Sequence, residues 1–146
     1  MARNKKIEIL HPEKKVSTGA YSAGVLIDGW LYVSGQGPLD YKTGKVIGET
    51  IEEQTRLTLQ HIEKILKAAG CTKDNVVKCT CHLEDINEFG RFNVEYAKFF
   101  TGIRPARTTV QSVLQGIKVE IDAIAYLPTL ASSRKSKKNN DTGRRL

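Results

Sequence analysis

The chain has 146 residues, 40% of them hydrophobic and 27% charged, with a formal net charge of +7. That length suits one domain around one sizeable core and leaves little for a second. No run approaches the ~20 apolar residues of a membrane helix, and the stretch Met1 to Lys6 carries no apolar signal core, so neither a membrane span nor a secretory signal is expected. Three cysteines, an odd number without scaffold spacing, argue against a disulfide-built module and make the cytoplasm the expected compartment.

The charge is unevenly spread. From Ala131 onward six Lys or Arg (Arg134, Lys135, Lys137, Lys138, Arg144, Arg145) stand against Asp141 alone, so five of the seven net charges belong to the last sixteen residues. Residues 1–130 read as one domain, and 131–146 as a basic tail without the apolar residues needed for order.

In chain order, Lys6 to Leu10 forms a short strand-like run, broken at His11-Pro12. Val25-Leu26-Ile27 and Trp30-Leu31-Tyr32-Val33-Ser34 flank Asp28-Gly29, the strongest local hairpin signal in the chain. Gly35-Gln36-Gly37-Pro38 ends the second strand; its glycines suit either a turn or a close backbone approach, and the turn is the safer reading. Thr50-Ile51-Glu52-Glu53 has the pattern of a capping box. The stripe Ile51, Thr55, Thr58, Ile62, Ile65 and Ala69 then predicts a helix ending at Gly70. Val76 to Leu83 alternates as a strand, with Val77, Cys79, Cys81 and Leu83 on one face. Asp85 to Glu88 resembles a second capping box, followed by Phe89, Phe92, Tyr96, Phe99 and Phe100 at helical spacing.

The last two strand-like runs meet at Gln115-Gly116. A tight antiparallel hairpin there would set Gln111 opposite Glu120 and Arg107 opposite Ile124. Arg107, Thr109, Gln111, Glu120 and Asp122 would then share a polar face, with Arg107 and Glu120 separated by roughly 13 Å along the strands. Such a face is either a solvated sheet or the floor of a site for a small carboxylic acid. Arg grips a carboxylate bidentately, and a nearby carboxylate can orient or deprotonate water. The order ββ, α, β, α, ββ after a leading strand predicts an α+β fold with two helices on one face of a mixed sheet. The uncovered face predicts a symmetric homo-oligomer.

Other constellations are weaker. Cys79-Thr80-Cys81-His82 splits its sulfurs and its imidazole between two strand faces and lacks a second pair, so buried free thiols are expected rather than zinc. His11, His61 and His82 have no partner at telling spacing and read as structural. Asn140-Asp141-Thr142 matches a glycosylation triplet, but without a signal it would not meet that machinery. There is no G-x-x-x-x-G-K, G-x-G-x-x-G or G-x-S-x-G. The tail offers nucleic acid a basic patch, yet lacks interleaved aromatics or an RNA-binding motif, and a solvated tail is preferred.

Taken jointly, Gly19-Ala20-Tyr21-Ser22-Ala23-Gly24, Val33-Ser34-Gly35-Gln36-Gly37-Pro38, Phe92-Asn93-Val94-Glu95-Tyr96, Pro105-Ala106-Arg107 and Val119-Glu120-Ile121 resemble, in order and spacing, the reactive intermediate deaminase family (RidA, or YjgF) over about residues 7 to 127. The resemblance implies a chorismate-mutase-like α+β fold, and a homotrimer with a central barrel and ligand clefts between subunits. It implies hydrolysis of enamines and imines such as 2-aminoacrylate to 2-keto acids and ammonia, with no metal or organic cofactor. Arg107 would bind the substrate carboxylate and Glu120 would position or activate water. Tyr21, Ser34, Gly35 and Asn93 would line the cleft, with Thr109 contributing mainly through its backbone. Thr109 stands where many members carry Cys, and the loop between the Arg and Glu strands is shorter than in bacterial members. Two further functions stand beside this one: an RNA-directed role as endoribonuclease or translation inhibitor, leaning on the tail, and a non-catalytic sensor of small keto or amino acids using the Arg107 cleft.

Overall fold

The computed structural model describes residues 5–127. The expected domain boundary near residue 130, the basic tail and the glycosylation triplet lie outside the described residues. Six strands, β1 (Ile7–Ile9), β2 (Gly24–Ile27), β3 (Trp30–Gln36), β4 (Val76–Leu83), β5 (Ala106–Gln111) and β6 (Val119–Tyr126), join two helices, α1 (Ile51–Ala68) and α2 (Phe89–Phe99). The sheet order is β1-β2-β3-β6-β4-β5, mixed, with both helices on one face, as the sequence predicts. Among the described residues no helix is long and apolar enough to cross a membrane.

Local chemistry explains most boundaries. Asp28 and Gly29 both take positive φ (50° and 84°), so the β2–β3 connection is a two-residue turn whose twist matches its strands. Thr50 Oγ1 accepts from the Glu53 amide at 3.2 Å, and the Glu53 carboxylate reaches back to the Glu49 amide at 2.8 Å, closing the N-terminus of α1. Asp85 caps a single 3-10 turn, Ile86–Glu88, through the Asn87 amide, and α2 follows directly. The predicted stripe on α1 is buried from Ile51 through Ile65, against Leu31, Ile121 and Ala123 of the sheet. Side chains of this size contribute about 1.5–3 kcal/mol each on full burial.

The predicted final hairpin does not form. β5 pairs with β4 in parallel, Arg107 beside Cys79 and Thr109 beside Cys81. β6 pairs with the other edge of β4, antiparallel, with Glu120 beside His82 and Ala123 beside Cys79. Gln115-Gly116 therefore lies in a loop carried across the end of β4, where the Ser112 amide bonds Leu83 O and the Glu84 amide bonds Lys118 O. The reason is burial: Cys79, Cys81 and Leu83 are fully buried, which suits β4 to a place between two strands. The face assignment changes with it. Arg107 and Thr109 share the helix-covered face with Cys79 and Cys81, whereas Glu120 and Asp122 lie on the open face with His82 and Thr80. Val110 is on the open face and 40% exposed, not in the core. On β4 a register shift between Val76 and Lys78 puts Val76 in the core and Val77 outside it, reversing the alternation expected there.

Candidate functional site

Arg107 sits on the edge strand β5 beneath α2. Its guanidinium carbon lies 4.6 Å from the ring centroid of Tyr96, 5.4 Å from Phe89 and 5.6 Å from Phe92. The helical repeat that makes α2 amphipathic thus presents three rings to one cation. Each such contact contributes about 0.5–2 kcal/mol and restricts where the guanidinium can move. Among the described residues no carboxylate pairs with it. Arg107 lines a cleft of about 520 Å³ together with Asn93, Tyr96, Ala97, Arg104 and Pro105. The thiols behind this cleft are inert: burial pushes Cys79 up to about 11 and Cys81 up to about 12, outweighing the nearby Arg107 cation. All three cysteines are free and buried, as expected for Cys79 and Cys81. Thr109 follows Arg107 on the covered face, with its hydroxyl buried and unbonded.

Glu120 is held differently. Between Val33↔Ala123 and Gln36↔Ile121 the β3–β6 register slips, leaving β3 bulged at Ser34-Gly35. The Glu120 side chain fills the space over Gly35: a Cβ there would meet its Cδ at 2.9 Å and its Oε1 at 3.1 Å. Gly37 likewise faces Ile117 Cδ1 at 2.9 Å. These two glycines permit close approach, which replaces the turn expected at Gly35 to Pro38. The Ser34 hydroxyl donates to Ser22 O at 2.5 Å.

Behind the bulge lies a cluster that sequence spacing did not reveal. The Glu13 amide donates to His11 Nδ1 (3.1 Å), so His11 carries its proton on Nε2 and donates to His61 Nδ1 (2.9 Å). His61 in turn donates from Nε2 to Leu39 O (2.6 Å). Burial lowers both imidazoles, His11 to about 4, and keeps both rings neutral. Tyr41 packs on both rings and donates to Gln36 Oε1 (2.5 Å), while Gln36 Nε2 donates to Ser34 O (3.0 Å). Burial, then neighbouring Tyr21 and Glu120, raise the Tyr41 pKa far above the ordinary phenol range. The two histidines are structural, as the sequence suggests, but they are partnered to each other across fifty residues of chain. His82, also read as structural, is the cross-strand neighbour of Glu120 and bonds Ser112 Oγ at 2.8 Å.

The seven residues singled out from sequence therefore fall into separate places. Arg107 and Asn93 share the cleft, and Thr109 lies beside Arg107. Glu120, Gly35 and Ser34 lie together at the bulge. Tyr21 lines a neighbouring hollow of about 300 Å³ with Lys14, His11 and Ser22. Its hydroxyl bonds Thr18, and the Lys14 ammonium lies 4.8 Å from its ring centroid. Within one chain Arg107 and Glu120 are on opposite faces of the sheet.

The profile of the Endoribonuclease L-PSP family, to which the RidA and YjgF proteins belong, matches residues 12–127, and the chain belongs to that family. The 2-iminobutanoate/2-iminopropanoate deaminase of Rattus norvegicus is 44% identical over 109 residues, covering 73% of this chain and 80% of that protein. The crystal structure of a protein of unknown function from the conserved Rid family, YyfA of Yersinia pestis, superposes with a TM-score of 0.79 at 39% identity, covering 84% of this chain and all of that one. Escherichia coli TdcF, crystallised with bound serine, superposes with a TM-score of 0.75 at 30% identity, covering 82% of this chain and 98% of that one.

Proposed function

We propose that the protein hydrolyses reactive enamine and imine intermediates, such as 2-aminoacrylate and its imine tautomer, to 2-keto acids and ammonia. The observation that carries this is Arg107: a cation clamped by three rings, paired to no carboxylate among the described residues, and open to a cleft. It suits a small α-carboxylate, which a guanidinium holds by two parallel charge-assisted hydrogen bonds. The deaminase name of the rat relative supports the reaction, and the serine bound to TdcF supports a small amino-acid-like ligand.

In this reaction Arg107 holds the carboxylate and so orients the adjacent C=N carbon. Glu120 aligns a water and takes its proton as the oxygen adds to that carbon. Glu120 returns that proton to the nitrogen to give a carbinolamine, then relays the hydroxyl proton to the same nitrogen as C–N breaks, and ammonia leaves. Asn93, Tyr21 and Ser34 line the ligand site, and the backbone of Thr109 borders it.

Opposite faces of one sheet cannot bring Arg107 and Glu120 onto one small molecule. We therefore propose that each site is built by two copies within a homotrimer, Arg107 from one subunit and Glu120 from its neighbour. The open sheet face, with Tyr32 48% exposed and Trp30 40% exposed, supports burial against further copies. Three free thiols suit the reducing cytoplasm proposed as its setting.

The test supplies 2-aminoacrylate from a serine dehydratase and follows keto-acid release. Wild type should accelerate release over buffer; equal rates would refute the deaminase. Arg107→Ala and Glu120→Gln should each be inactive alone, and should regain activity when their subunits are mixed and reassembled. No recovery would refute the shared site. The family's endoribonuclease name favours a second function on RNA. In that case removal of residues 131–146 should abolish a strongly salt-dependent RNA binding.

A further inference from the structure

We infer that Arg104 is a specificity-determining residue, and that the Arg107 cleft takes 2-imino acids bearing a second carboxylate; this rests on the deaminase function proposed above. Four arginines fall among the described residues. Two are neutralised on the helices: Arg91 reaches Glu52 at 2.6 Å, and Arg56 reaches Glu95 at 3.4 Å. Arg104 and Arg107 have no carboxylate partner among the described residues, and both line one cleft whose lining includes no Asp or Glu. Within one chain the pair is unneutralised, and with the neighbour's Glu120 assigned to the water in the shared site proposed above, the two guanidiniums are left for two carboxylates, the charge pattern of a dianion site.

The two cations differ in depth. Arg107 is partly buried and fixed by Tyr96, Phe89 and Phe92, whereas Arg104 is exposed at the mouth, two residues before β5 begins. Pro105 between them has a fixed φ and so limits how far the rim can swing from the strand. An α-carboxylate on Arg107 would leave a side chain pointing outward to place its own carboxylate near Arg104. A cleft of about 520 Å³ has room for that longer molecule. The chemistry is the same hydrolysis: water adds to the C=N carbon, a C–O bond forms, C–N breaks, and a 2-oxo dicarboxylate and ammonia result.

The experiment generates imines in place with amino-acid oxidases, those of aspartate and glutamate for two carboxylates and that of 2-aminobutyrate for one. Full-length wild type, Arg104→Ala and a control, Lys67→Ala, are compared by kcat/KM. Lys67 is a surface cation on α1 with its side chain 69% exposed. The diacid-to-monoacid ratio should exceed one in wild type, fall about tenfold or more in Arg104→Ala, and stay put in Lys67→Ala. An unchanged ratio in Arg104→Ala, or an equal fall in both variants, would overturn the assignment. Calorimetry with 2-oxoglutarate and 2-oxobutanoate separates this from the deaminase proposal itself. If no imine is turned over, tighter Arg104-dependent binding of 2-oxoglutarate would still support the dianion site, and equal binding of the two would refute it.

Discussion

The two halves of the candidate site solve the same problem, holding one charged side chain ready, by opposite means. On the covered face Arg107 is positioned by added bulk, three aromatic rings of α2 within 5.6 Å of its guanidinium carbon. On the open face Glu120 is positioned by removed bulk, its side chain lying where a Gly35 side chain would otherwise be. The first half is therefore tied to the hydrophobic core and the second to a bulge braced by Tyr41, Gln36 and the His11–His61 pair. Damage to the first should cost stability and activity together. Damage to the second can remove activity while the fold survives.

The largest effect expected is that of Arg107→Ala, which should lower kcat/KM in the aminoacrylate assay by roughly 10³-fold, because the bidentate carboxylate grip is lost outright. Arg107→Lys should recover only part of it.

Acid should strike the other half. Both imidazoles are neutral in the fold, and the folded pKa of His11, about 4, lies below its ordinary 6.5. The stabilisation is therefore fully present above pH 6.5 and is lost as pH falls through 4, by up to about 3 kcal/mol. Protonation of His11 at Nδ1 would oppose the Glu13 amide, and protonation of His61 at Nδ1 would oppose His11 Nε2–H. Hydrogen exchange between pH 7 and 4.5 should open residues 34–41 before α2; simultaneous opening would erase the contrast between the halves.

Gly35→Ala should reduce kcat/KM by about 10- to 100-fold by displacing the Glu120 carboxylate, while unfolding free energy changes by less than about 1 kcal/mol, since the end of a flexible side chain can yield. A large stability loss would mean that the bulge is part of the core. The smallest effect is Tyr96→Phe. The Tyr96 hydroxyl is buried, with the Cys79 thiol as its polar neighbour and no hydrogen bond of ordinary geometry. Its removal should change stability by less than about 0.5 kcal/mol and leave the ring over Arg107. Thermal unfolding and the same assay would check both.

Most local signals in the chain were accurate, the start of β4 and the turn expected at Gly35 to Pro38 being exceptions. Asp28-Gly29 made its turn, Thr50 and Glu53 capped α1, and the α1 and α2 stripes faced the sheet. Gln115-Gly116 failed because a turn dipeptide says where the chain can bend, not which strand it will meet afterwards. Parallel pairing of β5 on β4 depends on contacts across the whole α2 crossover. The His11–His61 bond and the rings around Arg107 were hidden for the same reason: each joins residues distant in sequence. Arg104 was visible three positions before Arg107, but only the shared cleft gives it meaning.

By itself, then, the sequence determined the elements, the helical faces, the family and the identity of the charged residues, because periodicity, capping and motif spacing are short-range properties. Only the tertiary structure decided which face each charge occupies. Strand order decides that, and strand order follows from the burial of β4 between β5 and β6. Arg107 and Glu120, one polar face on the hairpin count, are the two sides of one sheet.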